Sequence, residues 1–251
     1  MRNRTLVLSF VLLIATAGAA FAQEKKIHKS VPLDPGGQLS IDSHNGSITV
    51  TTWNRPTVEI DARIVATGDA TADDLAATDV KISGSGNRVS VETDYASLAA
   101  HFFGMNYSQP PVHFTISMPA TASLRISTHD ARVDVRGLHA DLHVDDHNGP
   151  VHVDAHEGAV DIETHNGSVD VVFARFNKQS SVETHNGSIE IRMPAAAGFR
   201  IDADGHRLGF DSDFPVVMKG VDRDHVAGNI NGGGPALRLS THNGSVRLHK
   251  S

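Results

Sequence analysis

The sequence predicts an all-β protein: a single-stranded β-solenoid, or β-helix-like fold, with two short strands per coil of 18–20 residues, flanked by β-rich capping segments. Three observations carry this expectation. A tetrapeptide recurs as His44-Asn45-Gly46-Ser47, His165-Asn166-Gly167-Ser168, His185-Asn186-Gly187-Ser188 and His242-Asn243-Gly244-Ser245, with His147-Asn148-Gly149 followed by Pro150 and degenerate copies at His129-Asp130-Ala131 and His156-Glu157-Gly158. Repeats at such density set the architecture before any local motif does. Apolar residues keep the same beat, nine apart, at Leu124, Val133, Leu142, Val151, Val160 and Val169, and again at Ile126, Val135, Val144, Val153, Ile162 and Val171. A polar residue (Arg125, Asp134, His143, His152, Asp161, Asp170) separates the members of each pair, which is the alternation of a strand with one face inward.

Each nine-residue unit is then a short strand and a corner, with Asn-Gly suited to positive φ. Asn-Gly between alternating strands is also the signal of a tight hairpin, so an antiparallel meander or sandwich is the competing architecture. The constant period favours the solenoid, because a stack of like on like must hold its coil length.

The chain divides in order. Residues 1–22 have a positive start (Arg2, Arg4), a short apolar stretch from Leu6 to Ala15 and Ala20-Phe21-Ala22 before Gln23, the pattern of a Sec-type signal peptide. The stretch is short for a membrane anchor, and the mature chain holds no later segment long enough to span a bilayer. The mature protein is therefore expected in the periplasm, at the cell surface or outside the cell. Residues 23–118 read as an N-terminal β-rich cap, with strands around Leu39–Ile41, Ile48–Val50, Val58–Ile60, Val80–Ile82, Val89–Val91 and Val112–Met118 and a helical turn or two within residues 69–78. Residues 119–251 hold the solenoid repeats and C-terminal strands, in one continuous domain with the cap. The pattern resumes after a two-residue insertion at Ile189 and Ile191. Residues 95–111 and 204–235 read as loop-rich.

Composition excludes several functions. With no cysteine, the chain has no disulfide framework, Cys-ligated zinc, iron–sulfur cluster or thiol nucleophile. A formal charge of −7 argues against a phosphate-tracking nucleic-acid partner. With 5% aromatic residues, one Trp and two Tyr, the chain is poor in sugar or base platforms.

The 16 histidines are the unusual entry in the composition. Their spacing places His129, His147, His165 and His185 at one corner of successive coils, as a column. Imidazole and carboxylate suit zinc, copper or nickel. Steps of about 4.8 Å offer neighbours in pairs, which fits weak divalent transition-metal binding at an open surface better than a closed cage, and no resident cofactor is expected. A calcium β-roll shares the nine-residue period but needs a glycine-richer loop than these units have. Scattered Ser, His and Asp residues define no catalytic constellation. The most apolar loop carries Phe102, Phe103, Met105 and Tyr107, read as a flap or as a lip for a binding partner.

One resemblance runs along nearly the whole mature chain. Pro35-Gly36-Gly37-Gln38-Leu39, Asn45-Gly46-Ser47-Ile48, Trp53-Asn54-Arg55-Pro56, Ser117-Met118-Pro119, the Asn-Gly-Ser corners and Asn231-Gly232-Gly233-Gly234-Pro235 occur in the order that resembles the "putative adhesin" domain family of exported bacterial β-solenoid proteins. The resemblance implies a solenoid-like fold and no catalytic residues to carry over. The functional expectation is a non-enzymatic binding or scaffold module of the cell envelope with an unidentified envelope or surface ligand. A metal- or pH-responsive envelope sensor built on the His columns, and a carbohydrate-active enzyme on a solenoid, are the alternatives.

Overall fold

A computed structural model describes residues 24–68, 70–95 and 108–251. The expected signal peptide and the lip residues Phe102, Phe103, Met105 and Tyr107 lie outside the described residues. The chain winds into two facing sheets, and most strand pairings are parallel, from one coil to the next, with antiparallel pairings towards the two ends of the stack.

The repeats form the middle. Strands β6 (Ser123–Thr128), β8 (Leu142–Asn148), β10 (Val160–Asn166) and β12 (Ser180–Asn186) stack in parallel in one sheet, here called B. Strands β7 (Asp130–Arg136), β9 (Val151–His156), β11 (Val169–Phe173) and β13 (Ile189–Met193) do so in the facing sheet A. Register follows the sequence period: Leu124 pairs with Leu142, Leu142 with Val160, and Val169 with Ile189. The hairpin alternative is thereby replaced, since strands adjacent in sequence lie in opposite sheets. All twelve Val, Ile and Leu positions of the nine-residue pattern are buried between the sheets. Burying such a side chain contributes roughly 1.5–3 kcal/mol, and one slip in register would turn each outward.

The corner glycines have a different reason from the one the sequence suggested. Of the glycines in the Asn-Gly corners only Gly46 has positive φ, at 119°. At Gly167 the constraint is space: a Cβ would overlap the carbonyl oxygen of Gly149 in the coil before. Gly244 stands in the same relation to Gly187. Glycine lets consecutive corners nest.

The two ends of the chain insert into the stack. β1 (Glu24–Asp42) first pairs antiparallel with β3 (Thr57–Val65), then crosses to sheet B and lies between β4 (Thr78–Tyr95) and β6. β2 (Asn45–Trp53) lies between β5 (Val112–Pro119) and β7. A short helix, α1 (Ala72–Ala77), begins with a capping box between Thr71 and Asp74. At the other end β18 (Ala236–Asn243) inserts between β12 and β14 (Phe199–Gly205), and β19 (Ser245–Lys250) between β13 and β15 (Gly209–Ser212). β17 (His225–Ile230) and β16 (Val217–Val221) close sheet B as antiparallel strands.

Residues 204–235, read as loop-rich, therefore contain three strands. β17 alternates regularly between partly exposed and buried positions, but Ala227, Gly228 and Asn229 hide that alternation in the sequence. A run of edge-to-face rings, Phe173–Phe176–Phe199–Phe214, with centroids 5.1, 5.7 and 5.7 Å apart, fills the core towards this end.

Candidate functional site

The corner histidines form the column that the spacing suggested, and it is longer. His44, His129, His147, His165, His185 and His242 stack in that order, with ring centroids 4.9, 4.7, 5.0, 4.8 and 4.7 Å apart. His206 adds a looser step of 5.7 Å beyond His242. Sequence spacing missed His44 and His242 because the chain leaves the stack between them and their neighbours. The shared tetrapeptide was the signal that could have placed them.

The asparagines beside them form a second ladder. Asn243 donates to Asn186, Asn186 to Asn166, Asn166 to Asn148 and Asn148 to the carboxylate of Asp130, at 2.7–2.8 Å. Every amide in this run donates in the same direction along the stack, so the bonds reinforce one another. The row ends on a carboxylate, and the Asn148 amide is the leading reason why Asp130 is held below the usual aspartate range.

A third column was not foreseen. Asp145 pairs with Glu163 and Glu163 with Glu183, two residues before the histidines and on the same outward face of sheet B. Asp134, His152, Asp170 and Glu190 form a further column, on the outward face of sheet A. The carboxylates and imidazoles line an open groove of about 480 Å³ whose walls carry no Lys or Arg.

Beneath the groove, inward from the histidines, runs a polar column. Thr184 donates its hydroxyl to the carbonyl of Gly167 at 2.9 Å, and Thr241 to that of Gly187 at 2.8 Å. Asp146 occupies this column, 3% exposed, and neither carboxylate oxygen closes a hydrogen bond. Burial pushes it up to about 7; the N–H groups of Ala131, His147 and Asn148 only partly offset this, and Asp130 adds to it. His156 is the other displaced group. Its ring is fully buried against Phe173, Nε2 lies 3.2 Å from the carbonyl of Ala159, and burial lowers it to about 4.

A further concavity of about 530 Å³ lies on sheet A, but several of its polar groups are already paired. His28 bonds Asp61 at 2.7 Å, Ser47 bonds His113 at 2.9 Å and Lys26 bonds Glu24 at 2.6 Å. Trp53 is half-buried in the cap; its Nε1 donates to Thr57 and Arg55 covers its ring at 4.7 Å.

Residues 2–249 match one protein family along essentially their whole length. The chain belongs to the Toastrack DUF4097 family. A solved structure named a "putative cell adhesion protein", from Clostridium sporogenes, is 10% identical, covers 90% of this chain and 100% of its own, and superposes with a TM-score of 0.49. Another, a "putative adhesin" from Bacteroides fragilis, is 11% identical over 89% of this chain and 97% of its own, with a TM-score of 0.36. No curated protein matches the chain. Among the described residues no helix is long and apolar enough to cross a membrane.

Proposed function

We propose that this Toastrack chain is an exported, non-enzymatic binding module of the cell envelope, adhesin-like in acting by display. The observation that carries this reading is the registration of the imidazole and carboxylate columns along one face of sheet B. A parallel stack fixes the spacing of its outward side chains, so little order has to be imposed when a partner docks. Export is supported by the start of the sequence, where a charged segment, an apolar stretch and Ala20-Phe21-Ala22 precede the fold. The groove carries carboxylates and imidazoles but no Lys or Arg, which favours a partner with cationic or hydrogen-bond-donating groups over an anionic one.

The test has two arms. Cell fractionation should find the protein outside the cytoplasm, cleaved near residue 22. Purified protein should bind whole cells or a glycan array, and the triple variant Asp145→Asn, Glu163→Gln, Glu183→Gln should lose that binding while melting at an unchanged temperature. Cytoplasmic retention, or binding that survives the triple variant, would overturn the reading.

A further inference from the structure

The imidazole column is not uniform, and its irregular end has a donor set of its own. From His147 to His242 the rings are parallel within 2–6°. A nitrogen lone pair lies in the plane of its ring, so an ion midway between two parallel rings is out of plane for both. His44 and His129 are inclined by 32° at a centroid distance of 4.9 Å. Inclined planes intersect, and one point can lie in both.

The third donor comes from the one departure in the asparagine column. The pairings place Asn45, Asp130, Asn148, Asn166, Asn186 and Asn243 at equivalent corner positions, and only at Asp130 is the amide replaced by a carboxylate. One ligand atom from each of His44, His129 and Asp130 lies within 4.8 Å of the other two. His129 is likewise inclined to His147, by 40°, but no trio of donors forms around that pair among the described residues.

The site is also braced. The backbone N–H groups of His129 and Asp130 both donate to the carbonyl of His44, at 3.1 and 2.7 Å, tying together corners 85 residues apart. Asn148 holds one oxygen of Asp130 at 2.7 Å, and the other lies 2.9 Å from His129 Nδ1. Asn45 is turned away, donating to Gln109 and accepting from Tyr95. Carboxylates that ligate metals are commonly oriented by such outer hydrogen bonds.

The geometry points to a divalent transition-metal site, of the zinc class, at His44, His129 and Asp130. Two imidazoles and one carboxylate are a sufficient protein set for Zn²⁺ with a position left for solvent or a partner's side chain. Closing the trio from its present spacing to metal–ligand distances of about 2.0–2.2 Å takes only rotamer adjustment, because His129 and Asp130 are exposed and His44 is half-buried. The site does not depend on the display role of the sheet B groove.

The experiment is titration calorimetry of the untagged, chelator-treated protein with ZnCl₂ at pH 7.5. One zinc per chain is expected for the wild type. Asp130→Asn, which restores the residue of the neighbouring corners, should weaken binding at least about tenfold and keep the metal-free melting temperature. His44→Gln should act in the same direction. His185→Ala, in the parallel part of the column, should bind zinc as the wild type does. No zinc binding by the wild type, undiminished binding by Asp130→Asn, or an equal loss in His185→Ala would overturn the site.

Discussion

Replacing Asp146 by threonine should make the protein more stable, and by an amount that depends on pH. The carboxylate stands in the row where Thr184 and Thr241 donate their hydroxyls to the preceding corner carbonyl, while the adjacent Thr164 hydroxyl closes no hydrogen bond. It is 3% exposed with both oxygens unpartnered. Its value in the fold is about 7, against 3.8 as the ordinary value. A group raised in the folded state contributes stability that is fully present below the unfolded value and lost as pH rises through the folded one. At pH 8.5 the loss amounts to at most about 4 kcal/mol, from 1.36 kcal/mol per unit. At pH 5 most of the folded carboxyl holds its proton, and the remaining cost is about 1.5 kcal/mol. A threonine hydroxyl in place of the carboxyl adds a hydrogen bond of about 1 kcal/mol. Asp146→Thr should therefore stabilise by up to about 5 kcal/mol at pH 8.5 and by about 2.5 kcal/mol less at pH 5. Urea denaturation at the two pH values measures it. No gain at pH 8.5, or the same gain at both, would refute the account of Asp146 as an ill-matched carboxylate in a hydroxyl column.

His156 should show the opposite slope. Its folded value is lowered to about 4 from 6.5, so its contribution is present above pH 6.5 and lost as pH falls to 4, up to about 3 kcal/mol; His156→Leu should flatten the acid limb of the melting temperature against pH. Gly167→Ala should cost about 3 kcal/mol or more by urea denaturation, since the new methyl meets the backbone carbonyl of Gly149, whereas Gly232→Ala, where a Cβ meets nothing but φ is +86°, should cost only about 1 kcal/mol. Arg192 bonds Asp170 at 3.0 Å and also pairs with Glu190 on the outer face of sheet A; Arg192→Ala should cost less than about 1 kcal/mol, and the loss should shrink further in 0.5 M salt.

How much of this was legible in the sequence depends on which contacts a residue makes. Leu124, Val133 and their nine-residue successors announce the two sheets because each sits over its own repeat, so a period in the chain is a neighbour in space. The same logic yielded the column His129–His147–His165–His185. It failed at His44 and His242, whose neighbours come from segments 85 and 57 residues away. Asn-Gly was read as a turn preference, whereas nesting against the previous corner requires the glycine, and no local signal carries that. The column Asp145–Glu163–Glu183 is present at spacings of 18 and 20, but Asp145 and Asp146 are adjacent and alike in the sequence, so it does not stand out. Only the fold separates them, one facing the groove and the other buried beneath it.

The insertion of both chain ends bears on all of these features. A solenoid that simply ran from first coil to last would leave its terminal coils as open parallel edges, the places where sheets fray and recruit other chains. Here β2 and the second half of β1, Gln38–Asp42, are paired on both sides, as are β18 and β19. Two outer positions go to β4 and β15, which pair in parallel with β1 and β19, and two to antiparallel strands, the first half of β1 on β3 and β16 on β17. Fraying of an outer strand therefore leaves the inserted coils in place. His44 and His242, near the two ends of the imidazole column, are held by strands that cannot peel away singly. The zinc trio needs this arrangement, since His44 reaches His129 only while the β1–β2 coil is wedged against β6 and β7. Conversely, an ion bridging His44 to His129 would tie that coil to the first regular repeat and stabilise the folded chain in proportion to the logarithm of its concentration above the dissociation constant.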